Sequence, residues 1–272
     1  MLPLEDLFND VLGKAQRGLG LDDDTLAAKA GVSAAQVQAA MEGEDQSQLL
    51  ALASALGLHG PSLVTMAEGG WRPAPQELVG LKQFNTDFGD MTVNAYVIYD
   101  AATREAIAFD TGATAAPMVD FIKAKGLTLT HIFITHTHAD HIADIPGLRA
   151  LNPAAPVLSN KAEPAPEGST FDTGTTWQVG ALSVESRLTW GHCPGGTSFV
   201  VRGLAKPIVV VGDALFASSM GGCKISYEAG LGTNRSELFT LSDDTVVCPG
   251  HGPLTTIGEE KAHNPFFPEY KA

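Results

Sequence analysis

The run Thr135-His136-Thr137-His138-Ala139-Asp140-His141 constrains this chain more than any other stretch. It places three imidazoles and one carboxylate within residues 136–141. The apolar Ile132-Phe133-Ile134 precedes it and predicts a buried strand ending at the motif. Neutral imidazole and carboxylate are ligands for zinc, iron and manganese. Side chains alternate along an extended segment, so His136 and His138 point the same way. Asp140 and His141 fall on the turn into the next helix, displaced along the chain. The spacing suits two adjacent metals rather than one.

Three later segments end a strand-like run in a ligand-type residue. Gly191-His192-Cys193-Pro194-Gly195-Gly196 follows the strand-like stretch 182–189. Val209-Val210-Val211-Gly212-Asp213 ends in a carboxylate, and Val246-Val247-Cys248-Pro249-Gly250-His251-Gly252 ends in a histidine. Strand ends are where a rigid scaffold can hold a functional side chain. Taken singly each is weak; in this order they form a set.

In combination, H-x-H-x-D-H, G-H-x-P-G, G-D and P-G-H-G resemble the metallo-β-lactamase-fold hydrolases, and most of all their glyoxalase II-like branch. The resemblance covers roughly residues 81–270. It implies an αββα sandwich in the α/β (α+β) class, with two divalent metals at one edge of the sheets. By motif, His136, His138 and His192 would hold the first metal. Asp140, His141 and His251 would hold the second, and Asp213 would bridge them. Zinc is the leading cofactor, and iron or manganese would also be accepted by such ligands. Asp140 would also orient the attacking hydroxide, so that no serine or cysteine nucleophile is needed.

Substrate preference is read from Gly221-Gly222-Cys223-Lys224-Ile225-Ser226-Tyr227-Glu228, which is similar to the segment that grips glutathione in glyoxalase II enzymes. Lys224 and Tyr227 are the matching positions, with one extra residue between them. The chain also lacks the long helical tail of those enzymes after His251. His263, in the short tail that remains, reads as surface or packing. The expected activity is hydrolysis of a small-molecule thioester or related ester. Three alternatives stay open. One is a persulfide dioxygenase with a single iron on His136, His192 and Asp213. Another is a phosphodiester, lactone or β-lactam hydrolase on the same fold. The last is a ligand-sensing DNA-binding regulator.

That last alternative comes from the N-terminal part. The Gly/Pro cluster at 69–75 divides the chain into a helical module over 1–70, a linker over 71–80 and a catalytic domain over 81–272. Leu4, Leu7, Phe8, Val11 and Leu12 make one helical face. Further helices carry Leu26 and Ala30, then Val37 and Met41 behind an N-capping Ser33, then Leu49, Leu52, Ala53 and Leu56 before Gly57. Residues 24–43 resemble a phage-repressor helix-turn-helix. Charge argues against nucleic acid. The segment 1–70 carries three cations against ten acids, net −7, and the whole chain is at −14. The second helix of the pair offers Gln36 and Gln38 but no cation. A packing or homo-oligomerising module is the alternative reading.

The N-terminus lacks a basic, then apolar, leader pattern, and no stretch is apolar enough to span a bilayer. Cys193, Cys223 and Cys248 are an odd count without a disulfide framework. These features predict a cytoplasmic, reduced protein with no membrane partner. In the catalytic region, 93–99 reads as a strand buried on both faces, and 106–109 as another leading to the turn Asp110-Thr111-Gly112. That turn is either a support for the metal loop or an ordinary loop. Residues 118–125 read as a helix closed by Gly126, 142–151 as the helix after the metal motif, and 160–169 as a surface loop.

Overall fold

The structure, a computed structural model, describes residues 2–271. Five helices come first: α1 (Phe8–Gly18), α2 (Asp23–Ala30), α3 (Ala34–Met41), α4 (Leu49–Leu56) and α5 (Gly60–Ala67). Then follow β1 (Leu81–Phe88), β2 (Met91–Tyr99), β3 (Glu105–Phe109), α6 (Ala116–Lys125), β4 (Thr128–Phe133), α7 (Ala139–Ile142), α8 (Ile145–Arg149), β5 (Val157–Asn160) and β6 (Ser169–Phe171). The last part contains β7 (Thr176–Val179), β8 (Leu182–Leu188), β9 (Thr197–Arg202), β10 (Ile208–Gly212), α9 (Tyr227–Thr233), β11 (Val246–Pro249), β12 (Thr255–Thr256) and α10 (Ile257–His263).

The strands form two six-stranded sheets, in the orders β1-β2-β3-β4-β5-β6 and β12-β11-β10-β9-β8-β7. Pairing in the first sheet turns from antiparallel to parallel at β3–β4. In the second sheet only β10–β11 is parallel. Period-two alternation sets the layers. Tyr96, Ile98, Phe199, Val201, Ile208 and Val210 face the core between the sheets. Their chain neighbours turn outward. Val97 packs under α6, with Met118 and Ile122. Val200, Val209 and Val211 join the opposite outer cluster. The result is an αββα sandwich.

That opposite cluster contains most of the N-terminal apolar residues. Leu12, Leu26, Val37, Leu52 and Leu63, all fully buried, share one continuous core with Val200, Val209, Phe266 and Phe267. The helical module is therefore part of the outer layer over the second sheet. Lys14 fastens it: Nζ is paired with Asp6 and donates to the Met220 carbonyl at 2.9 Å. The segment 71–80 is anchored as well. Trp71 stacks on His263 with centroids 4.3 Å apart, and Ala74 N donates to Glu259 Oε1. His263 is thus a packing residue of the tail.

Three local expectations are corrected. Leu7 is not on the buried face of α1; it is 66% exposed and stands at the N-cap, where its N–H is taken by Asp10. The helix expected over 142–151 is shorter: α7 lies within the metal motif and ends at Ile142, and only α8 (Ile145–Arg149) falls inside the expected range. Asp144 breaks the chain between α7 and α8, capping Gly147 N while also accepting from Ala115 N. Pro146 sits in the first turn of α8, where its missing N–H costs nothing. A further helix, α5, follows the four expected ones. None of the helices among the described residues is long and apolar enough to cross a membrane. All three cysteines are free.

Candidate metal centre

The seven expected ligands converge at one edge of the sandwich, each delivered by the end of a strand or the start of a short helix. His136, His138, His192 and Asp213 offer ligand atoms within 4.8 Å of one another, and so do Asp140, His141 and His251. His138 Nδ1 lies 3.0 Å from His136 Nε2 and 2.9 Å from His192 Nε2. Asp213 stands between the groups. Its Oδ2 is 3.4 Å from His192 Nε2 and 3.5 Å from His251 Nε2, while Oδ1 is 3.4 Å from His141 Nε2. Asp140 Oδ2 is 3.4 Å from both His141 Nε2 and His251 Nε2. His138 is the exposed member of the two groups, so solvent reaches the cluster from its side.

The donor set fits metal ions. His141 Nε2 and Asp213 Oδ1 are buried with no hydrogen-bond partner, which is costly unless something else satisfies them. A Cβ on Gly250 would stand 2.1 Å from Asp213 Oδ1 and 2.8 Å from His141 Cε1, so only glycine leaves the cradle open. Three imidazoles are turned by hydrogen bonds on their far nitrogens. Nδ1 of His141 meets Asp110 Oδ2 at 2.8 Å, His192 donates to the Gly222 carbonyl at 2.9 Å, and His251 donates to the Thr92 carbonyl at 2.6 Å. Each contact leaves Nε2 as the free lone pair facing the cluster, the usual outer support of a metal-bound histidine.

The electrostatics agree. Burial would push the Asp213 carboxyl up, but His141 and His136 overcome it and hold it well below the usual carboxylate range. Burial would push the His141 imidazole down, but Asp213 and Asp110 draw a proton onto it and raise it to about 10. His251 is likewise raised to about 11 against its burial, by Asp140 and Asp213. His136 goes the other way, driven well down by burial and then by the neighbouring His141. A cluster that gathers positive charge onto its own histidines is one where a divalent cation can replace those protons.

Several supporting residues carry no motif. Asp110, in the left-handed region at φ 56°, accepts from Thr135 N and Thr135 Oγ1, both at 2.7 Å, besides holding His141. The turn after β3 therefore supports the metal loop. Asn94 and Tyr96 on β2 reach across to the His251 loop. Asn94 Nδ2 donates to the carbonyls of Pro249 and Gly252 at 3.0 and 2.9 Å, and Tyr96 Oη donates to Pro249 at 2.6 Å. Period-two alternation puts these two on one face of β2, but nothing in the sequence says which face is inward or which loop they hold. The N-terminal strap also comes close. Glu5 N and Cβ would be 3.1 and 3.4 Å from a Cβ on Gly252, and Phe216 lies between the Lys14 ammonium (5.2 Å) and the His251 ring (5.7 Å).

The two expected substrate residues part company. Lys224 is exposed, two residues beyond the Gly222 carbonyl that holds His192. Tyr227 begins α9 with its ring in the cluster beneath the helical module, against Gly18 and edge-on to Phe266 at 6.4 Å. Cys193, beside His192, is buried, and burial pushes its thiol far up, so it is no nucleophile.

Residues 88–251 match the metallo-beta-lactamase superfamily model. The chain belongs to the metallo-β-lactamase superfamily. Among its relatives is a probable metallo-hydrolase of Streptococcus pyogenes, 32% identical over 199 residues, covering 63% of this chain and 84% of the relative. The human mitochondrial persulfide dioxygenase ETHE1 is 29% identical over 180 residues, covering 62% of this chain and 69% of that protein. The crystal structure of ETHE1 from Myxococcus xanthus superposes with a TM-score of 0.60 at 29% identity, over 69% of this chain and 85% of that one. A metal-dependent centre on this superfamily fold is thus the catalytic framework. The matched family segment begins after α1–α5.

Proposed function

We propose that the chain is a binuclear metallohydrolase that cleaves a thioester or related ester, in the manner of the glyoxalase II-like branch. One observation carries the reading: a second ligand group, Asp140, His141 and His251, stands beside the first, and Asp213 of the first group reaches it, with Oδ1 3.4 Å from His141 Nε2 and Oδ2 3.5 Å from His251 Nε2. What a metal pair supplies in such a site is water ionised near neutral pH and polarisation of the substrate carbonyl.

The chain's own groups do the rest. Asp140 is held anionic, since His251 and His141 outweigh its burial, and it accepts a hydrogen of the attacking water and so aims the oxygen. His192, oriented by the Gly222 carbonyl, lies at the mouth beside exposed His138. Lys224, exposed two residues after Gly222, is the group we assign to an anionic part of the thiol carrier. Water adds to the acyl carbon, the C–S bond breaks, and the products are a carboxylic acid and a free thiol.

Relatedness to ETHE1 favours a second reading, a persulfide dioxygenase with one iron on His136, His192 and Asp213. One experiment separates the two. Protein purified without added metal is analysed for metal content and assayed with S-lactoylglutathione and with glutathione persulfide. About two metals per chain with thioester turnover supports the hydrolase. A single iron with oxygen uptake on the persulfide, and no thioester turnover, replaces it with the dioxygenase.

A further inference from the structure

The loop between β5 and β6 contains a carboxylate that no motif marks. Glu163 Oε1 accepts from Thr137 N at 2.8 Å and Thr137 Oγ1 at 2.9 Å, and its Oε2 accepts from Gly195 N at 2.9 Å. Thr137 lies between His136 and His138, and Gly195 follows His192 by three residues. One carboxylate thus ties the two loops that carry the histidines of the first ligand group. The approach is close: a Cβ on Gly195 would be 2.4 Å from Glu163 Cβ. The loop is itself fixed, with Ala165 N donating to Ser159 Oγ at 2.8 Å and Ala162 N to Asn160 Oδ1 at 2.9 Å. The second group has other supports. His141 rests on Asp110, and His251 on the Thr92 carbonyl and the Asn94-held loop.

We propose that Glu163 is a positioning residue that sets the distance between the His136–His138 loop and the His192 loop, and so fixes the affinity of the first metal position separately from the second. An ionised carboxylate suits this place because all three partners are donors, and hydrogen bonds to a charged acceptor are the strong ones. The inference rests on the binuclear reading only in that two positions fill.

The test is a zinc titration of the full-length, metal-free chain against a chromophoric chelator, with cobalt spectra recorded in parallel. In Glu163→Gln the amide NH2 must face a donor at either Thr137 or Gly195. We expect one of the two equivalents to weaken by about 10–100-fold, as loss of an outer support usually does, and the other to stay as in wild type. Thr137→Val removes only the hydroxyl contact and should weaken the same equivalent by a smaller factor. Glu167→Gln, on the surface beside Arg149, is the control and should change neither. Wild-type affinity at both positions in Glu163→Gln overturns the proposal. So does an equal loss at both, which would mean a general structural role. Should Glu163→Gln not fold, Thr137→Val decides by the same criterion. A wild-type chain that binds one equivalent ends the binuclear reading, while Glu163 still stands or falls on whether its substitution weakens that one.

Discussion

Asp213 Oδ1 and His141 Nε2 face each other at 3.4 Å, both buried and both without a hydrogen-bond partner. Such a pair is stable only if a cation lies against it or a proton is shared across it. Asp213→Asn keeps the shape and removes the charge. We expect metal content to fall to one equivalent or fewer and turnover to drop at least about 100-fold, since loss of an outer support alone costs 10–100-fold. Unchanged metal content by elemental analysis would refute the bridging role.

Asp110→Asn tests the support beneath His141. Asparagine tolerates the left-handed backbone there, so the turn should persist. The hydrogen bonds to Thr135 and His141 weaken or reverse. The expected result is about a 10–100-fold loss in metal affinity or activity with the circular dichroism spectrum unchanged. Wild-type affinity would make Asp110 an ordinary loop residue.

Metal removal should abolish activity without unfolding the chain. The ligands sit at strand ends whose cores close without them. Dialysis against a chelator is expected to leave the far-ultraviolet spectrum intact and to lower the melting temperature. Metal at a hundredfold excess over its dissociation constant adds about 2.7 kcal/mol. Zinc, manganese or ferrous iron should each be tried for recovery of turnover. A chelated sample that keeps full activity would remove the metal from the mechanism.

Glu260 gives a pH dependence. It is fully buried, accepts from Ser218 N, Thr255 Oγ1 and Asn264 Nδ2, and burial pushes its carboxyl up to about 7. An acid with a raised folded pKa favours folding while it is protonated. Its contribution is full below the unfolded value near 4.5 and is lost as pH rises through about 7. The loss is on the order of 3 kcal/mol. Glu260→Gln should therefore melt higher than wild type at about pH 8 and lose the decline between about pH 5 and 7. Parallel wild-type and variant curves would show that Glu260 does not titrate there.

Gly18→Ala tests the seat of the helical module. The new Cβ would fall 2.3 Å from the Tyr227 ring, which has Phe266 beside it. Overpacking of this kind costs about 1–3 kcal/mol. The expected readout is a lower melting temperature and faster proteolytic cleavage between residues 68 and 80, with metal content unchanged. Wild-type stability would mean that the ring moves aside freely.

Residue types and local periodicity carry much of this protein. Alternation along 93–99 and the β-branched runs at 132–134 and 209–211 mark strands buried on both faces, because period two alone sorts side chains to the two sides of a sheet. The seven histidines and aspartates that the structure gathers could be picked out together from the sequence through the family resemblance that their motifs carry. The groups that hold those ligands could not. Asn94 reaches Pro249 across 155 positions, and Glu163 joins Thr137 to Gly195 from a stretch that reads as surface loop. A hydrogen bond between distant segments leaves no periodic trace; it exists only once the two sheets have been stacked. The helical module shows the same division. Its amphipathic faces are plain in the sequence, but that they close on the outside of the second sheet, with Lys14 over Phe216 beside His251, is decided by which apolar surface that sheet leaves uncovered.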